Sequence, residues 1–145
     1  MGSSKELVIE ASTDKLVEVI AFVDTQLENF ECSMKTQMQI DIAVEEIFVN
    51  IAHYAYNPAV GKATIRIEVT DGIVSLTFID NGIPYDPLAK EDPDITLSAE
   101  ERQIGGLGIF MVKKSMDDMR YEYKEGHNIL TITKHLDPKP KNGGV

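Results

Sequence analysis

Asp71-Gly72 separates two segments, 62–70 and 73–80, in which apolar and polar residues alternate almost one by one. A period of two marks a strand with one buried face, and Asp-Gly suits the tight turn of a two-residue hairpin. A hairpin of this kind must be covered on its apolar face by other parts of the chain. The cover is encoded upstream. Residues 13–30 carry Leu16, Val19, Ile20, Val23 and Leu27 at helical spacing, behind Ser12 as a candidate N-cap. A second helix is expected from about Ser33 to Tyr56, where Asn57-Pro58 ends it. Lys5 to Glu10 reads as a short edge strand. Downstream, residues 106–117 are expected to form a third helix, and Arg120–Lys124 with Ile129–His135 a second hairpin around Glu125-Gly126-His127-Asn128. This is neither β-α-β alternation nor an all-helical pattern. We expect an α+β fold, a two-layer α/β sandwich with a mainly antiparallel sheet and helices on one face.

The 145 residues suffice for one domain with one core, expected over residues 5–136. No apolar run approaches the roughly 20 residues of a membrane-spanning helix, and the N-terminus lacks the pattern of a signal peptide. Cys32 is the only cysteine, which rules out an intrachain disulfide and makes a reducing cytoplasm the expected location. A formal charge of -10 argues against a nucleic-acid groove, which needs clustered Lys and Arg. The stretch from Pro84 to Gln103 holds three prolines, many acids and no sustained periodicity. It reads as a long surface loop of the kind that usually carries function. Asp137 to Val145 is Pro/Lys/Gly-rich and is expected to be a disordered tail.

Around the second helix, Ile40, Val44, Ile47, Ile51 and Tyr54 fall on one stripe, the expected core face. Glu46, Asn50 and His53 lie on a neighbouring stripe beside Ala43, whereas Glu45 points elsewhere. On an arbitrary helix such flank residues would simply be solvated. A carboxylate and a carboxamide one turn apart also suit phosphate chemistry. Magnesium takes hard oxygen ligands and keeps several waters, so the Asn50 carbonyl oxygen could be its single protein ligand. Glu46 could then accept a proton from an attacking nucleophile, or orient it. His53 reads as a partly buried structural histidine. Asp80 follows the alternating segment Val74–Ile79 and could accept a hydrogen bond from an exocyclic amine. Gly82, lacking a Cβ, could let the backbone approach a flat base. The plainer reading is an ordinary Asp-Asn-Gly turn. Gly105-Gly106-Leu107-Gly108 leads into an amphipathic helix whose first N–H groups and dipole favour phosphate. A Rossmann reading is poor, since no strand precedes the glycines and Met111 takes the third glycine position. A Walker A reading fails at Gly61-Lys62-Ala63. Arg102 and Lys90 could approach phosphates from the loop, although solvated surface charge is the plainer reading.

Glu46-Ile-Phe-Val-Asn50, Asp80-Asn-Gly-Ile-Pro84 and Gly105-Gly-Leu-Gly108, in this order, resemble the N, G1 and G2 boxes of one ATPase superfamily. It unites gyrase B, heat-shock protein 90, sensor histidine kinases and MutL. The wording Asp80-Asn-Gly-Ile-Pro-Tyr-Asp-Pro87 and Gly105-Gly-Leu-Gly-Ile-Phe-Met-Val112 most resembles the small anti-sigma-factor serine/threonine-protein kinases, over about residues 5 to 136. The resemblance implies ATP and Mg2+ as cofactors. It implies Glu46 as the catalytic residue, Asn50 as metal ligand, and Asp80 as reader of the adenine amino group. It places Gly82, Gly105, Gly106, Leu107 and Gly108 at the nucleotide. The acids, prolines and missing apolar periodicity of the loop Pro84–Ile104, followed by glycines that supply a hinge, lead us to expect it to act as a lid over the phosphates. The implied function is phosphorylation of a small antagonist protein on Ser/Thr, with a sigma factor as a further protein partner and homodimerisation left open. Neither nucleic acid nor membrane is implied as a partner. Two alternatives stand beside it: a nucleotide-gated binding module with little catalysis, and a stand-alone relative of histidine kinase catalytic domains. Against the latter, no helical hairpin with a phosphoacceptor histidine is visible, since His53, His127 and His135 all lie within the ATPase region. Gyrase-type and chaperone-type ATPases need a transducer domain not seen in this sequence. Two departures from the superfamily stand out. Pro84 replaces a common second glycine, and Asn128 aligns where relatives place a threonine that helps hold adenine. Asn128 is not counted among the site residues.

Overall fold

The hairpin around Asp71-Gly72 lies at the centre of the sheet. A computed structural model describes residues 3–30, 32–55, 61–88 and 106–136. In chain order it contains β1 (Ser3–Glu10), a 3-10 turn (Thr13–Lys15), α1 (Leu16–Leu27), α2 (Met34–Tyr54), β2 (Lys62–Thr70), β3 (Ile73–Asp80), α3 (Gly106–Ser115), β4 (Asp118–Lys124) and β5 (His127–His135). The strands form one five-stranded sheet in the order β1-β2-β3-β5-β4, with every neighbouring pair antiparallel. The expected α+β sandwich is the observed fold.

Both hairpin turns have two central residues at positive φ: Asp71 at 53° with Gly72 at 76°, and Glu125 at 53° with Gly126 at 83°. This is the geometry whose twist matches flanking strands. The second turn is thus two residues shorter than the sequence suggested. Its consequence is that Asn128 belongs to β5, directly opposite Asp80 of β3.

The helices start where their caps lie. Ser12 Oγ accepts the Asp14 N–H at 3.4 Å, and Ser33 Oγ accepts the Thr36 N–H at 3.1 Å, each satisfying a donor that the first turn leaves unpaired. The third helix ends at Ser115, two residues before the expected boundary. Lys113 and Lys114 lie in its last turn, and Lys134 Nζ donates to the Ser115 carbonyl at 2.7 Å, so cations complement its negative end.

One face of each strand buries against the helices. Val19, Val23 and Leu27 of α1, Ile40, Val44, Ile47 and Phe48 of α2, and Val112 of α3 share a core with Ile65, Ile67, Leu76, Phe78 and Ile132 of the sheet. Burying each such side chain contributes about 1.5–3 kcal/mol. Ile51 is partly buried against the same core. The opposite sheet face carries the half-buried Thr64, Ser75, Thr77, Thr131 and Thr133. His53 is exposed rather than partly buried. It sits in the last turn of α2, on the flank stripe and off the core face. Among the described residues no helix is long and apolar enough to cross a membrane. The tail from Asp137, and the loop portion from 89 to 105 with Lys90, Arg102 and Gly105, lie outside the described residues.

Candidate nucleotide site

Asp80 ends β3 with only 5% of its surface exposed, and a buried carboxylate needs donors. It has two, the Gly82 N–H at 2.9 Å and Asn128 Nδ2 at 2.9 Å, both directed at Oδ1. The loop after β3 is fastened on its other side to α2, where the Ile83 N–H donates to the Ala55 carbonyl at 2.9 Å. Gly82 packs so closely on that helix end that a Cβ built on it would lie 2.1 Å from the Ala55 carbonyl oxygen. Proximity to a base was the sequence rationale for this glycine. The geometry adds a different one, contact with the C-terminus of α2.

A cleft of about 440 Å³ of non-atom space, part of it open to solvent, lies between α2, α3 and the sheet. Asn50 and Ile51 of α2, Phe78 and Asp80 of β3, Ile109 of α3, and Asn128 and Leu130 of β5 line it. Ile83, Tyr85 and Pro87 from the loop after β3, and Tyr121 of β4, complete the wall. The lining has the character of a small-molecule site: mostly apolar, with a few convergent polar groups. Burial pushes the Tyr121 phenol up, and the nearby Asp86 and Asp80 charges add to this against a backbone hydrogen bond involving Tyr85. The group therefore stays protonated and acts as a donor to Asn128 Oδ1.

Helix geometry separates the two adjacent glutamates as expected. Glu45 is exposed and Glu46 half-buried. The Glu46 carboxylate lies against Gly108 in the first turn of α3, the residue beside cleft-lining Ile109. Asn50, one turn along α2, reaches the cleft itself. Residues from the first two boxes thus share one cavity, and the third box touches Glu46. Gly106 and Leu107 are the first two residues of α3. Tyr85 and Ile109 stand inside the two motif stretches without being read as site residues, Tyr121 carries no local signal in the sequence, and Asn128 is visible there only through its alignment with the family's threonine. Among the described residues no three His, Cys, Asp or Glu side chains converge to hold a metal. Asn50 puts a hard carboxamide oxygen at the cleft wall, and is the residue that would hold a magnesium ion there.

Comparison with known proteins agrees with this architecture. The family model described as histidine kinase-like ATPase domain matches residues 9–134. The serine/threonine-protein kinase BtrW of Bordetella bronchiseptica is 30% identical over 108 residues, 74% of this chain and 76% of that protein. The serine-protein kinase RsbW of Listeria monocytogenes is 29% identical over 69% of this chain and 66% of its own length. The Bacillus cereus RsbW is 31% identical over 66% of this chain and 61% of its own length. The chain thus spans just under two thirds of the RsbW proteins it matches. The crystal structure of the RsbU and RsbW domains of a Mycobacterium tuberculosis protein shares the fold, with a TM-score of 0.67 at 18% identity over 92% of this chain and 32% of that one. The chain belongs to the histidine kinase-like ATPase family, in the branch of the anti-sigma-factor serine/threonine-protein kinases.

Proposed function

We propose that the chain binds ATP with magnesium in this cleft, phosphorylates a small antagonist protein on Ser or Thr, and binds a second protein partner such as a sigma factor. The observation that carries the reading is the cleft itself. It brings Asn50 and Asp80 together from different elements, next to the contact between Glu46 and Gly108. The Asp80 carboxylate accepts the adenine amino group, while Ile51, Phe78, Ile83 and Leu130 supply apolar walls for the base. Asn50 offers its carbonyl oxygen to magnesium, which when bound neutralises phosphate charge. The N–H groups at the start of α3 face phosphate oxygens. Glu46 takes the proton of the attacking Ser or Thr hydroxyl. That oxygen bonds to the γ-phosphorus as the bond to the bridging β–γ oxygen breaks, and ADP leaves.

The direct test is a pull-down with and without ATP, followed by phosphosite mapping on the captured protein. An ATP-dependent partner phosphorylated on Ser or Thr is the expected result. Capture without phosphorylation would leave a nucleotide-gated binding module. Thermal melting tests the base, because a ligand of the folded state stabilises by RT ln(1 + [L]/Kd). ATP should raise the midpoint and GTP much less, since guanine presents a carbonyl where adenine presents its amine. Asp80→Asn should abolish the ATP shift, and equal shifts from ATP and GTP would sink the role of Asp80.

A further inference from the structure

Asn128 is 6% exposed and is hydrogen-bonded on every side. Its Nδ2 donates to Asp80 Oδ1 at 2.9 Å and to the Ile83 carbonyl at 2.9 Å, with the Gly82 carbonyl at 3.4 Å. Its Oδ1 accepts the Tyr85 N–H at 3.1 Å and the Tyr121 hydroxyl. A carboxamide has two donor hydrogens and two acceptor lone pairs, so its capacity is fully taken by protein. The orientation is also forced, since every group facing Nδ2 is an acceptor and every group facing Oδ1 a donor. The side chain therefore has no hydrogen bond left for a base, although it lines the cleft. What it does is tie three things together: the carboxylate at the end of β3, the loop from Gly82 to Tyr85, and Tyr121 of β4.

We propose that Asn128 is the positioning residue that sets nucleotide selectivity: its saturated amide anchors Asp80 by Oδ1, so that the second carboxylate oxygen is presented to the ligand amine. This rests on the nucleotide reading of the cleft. A hydroxyl in its place has one donor hydrogen and could not bridge Asp80 and the loop carbonyls together. The carboxamide makes the base-reading carboxylate and the loop that walls the cleft into one unit, and Tyr121 fixes the amide from the opposite side.

The test compares ATP with purine riboside 5′-triphosphate, which lacks the amino group, by calorimetric titration of the full chain. Wild type should prefer ATP by about ten- to a hundredfold, the worth of a hydrogen bond to a charged acceptor. Asn128→Asp keeps the shape but turns the donor into an acceptor facing Asp80, so the preference should collapse towards one. A residue that merely supports the fold would weaken both nucleotides equally, and an unchanged ratio in this variant overturns the proposal. If Asn128→Asp binds neither nucleotide, Tyr121→Phe decides, because it removes only the hydroxyl that orients the amide. A reduced ratio supports the proposal and an unchanged one overturns it. Equal wild-type affinities would also overturn it while leaving the nucleotide cleft standing. A wild type that binds neither nucleotide would refute the functional reading itself.

Discussion

The carboxylate of Glu46 rests on the backbone of Gly108: a Cβ built on that glycine would lie 2.0 Å from Oε2 and 2.7 Å from Cδ. The contact links α2 to the first turn of α3 and gives Gly108 a purpose beyond freeing N–H groups for phosphate. It leaves room for the group assigned to proton transfer.

Gly108→Ala should therefore separate stability from chemistry. The obstructing atoms are the end of a flexible side chain, which can rotate away, and alanine favours a helix over glycine by up to about 1 kcal/mol. The melting temperature should hold or rise slightly. Phosphoryl transfer should fall by about 10²-fold, because a displacement of about 1 Å at a reacting group costs that much. Full activity in this variant would show that the position of Glu46 against α3 is immaterial to catalysis.

Glu46→Ala and Glu45→Ala form a matched pair on neighbouring positions of α2. Loss of Glu46 should lower phosphoryl transfer by about 10²–10⁴-fold with ATP still bound, the usual worth of a general base. Glu45 is exposed on another side of the helix, so its loss should leave transfer near wild type. Single-turnover transfer from labelled ATP, alongside nucleotide titration, separates the two effects. An inactive Glu45→Ala with a normal Glu46→Ala would reverse the assignment.

Gly82→Ala tests why a glycine stands after β3. The nearest atoms to an added methyl are Ala55 backbone, at 2.1 Å for the carbonyl oxygen and 2.5 Å for its carbon, and backbone cannot swing aside as a side chain can. Overpacking of this kind costs about 1–3 kcal/mol. The protein without nucleotide should melt at a lower temperature, and urea titration should show the loss. A glycine needed only for close approach of a base would leave stability without nucleotide unchanged.

Much of this was legible in the sequence, and its limits have physical causes. Asp71-Gly72 marked its hairpin because aspartate and glycine both tolerate positive φ. Glu125 adopts the same angle without being a favoured residue there, so the second turn looked longer and the pairing of Asn128 with Asp80 stayed hidden. The stripe of Ile40, Val44 and Ile47 was read correctly from its spacing. Phe48 is fully buried outside that stripe, because α2 packs against both α1 and α3 and buries a wider arc than a helix lying on a sheet alone. Local pattern placed Asn50 and Asp80 on their elements. That they share a cleft depends on contacts between elements far apart in the chain, which no local period encodes.

Between α1 and α2, Asp24 and Asp41 face one another, and each leaves Oδ1 buried without a hydrogen-bond partner. Burial, then the hydrogen bond and the charge of Asp24, raise the Asp41 carboxyl from its ordinary 3.8 to about 7. A raised carboxyl pKa means the folded protein holds a proton that the unfolded chain has released. The resulting contribution to stability is fully present below about pH 4 and is lost as pH rises through about 7. Asp41→Asn keeps a neutral, hydrogen-bonding side chain at every pH and removes the dependence. Melting temperatures of wild type and Asp41→Asn should therefore diverge in one direction from pH 5 to pH 8, the variant gaining steadily on wild type. Comparing the two cancels the general repulsion of an acidic chain, which both share. Parallel melting curves across that range would mean that the two carboxyl groups do not share a proton, and the helix pair would then carry no pH sensitivity of its own.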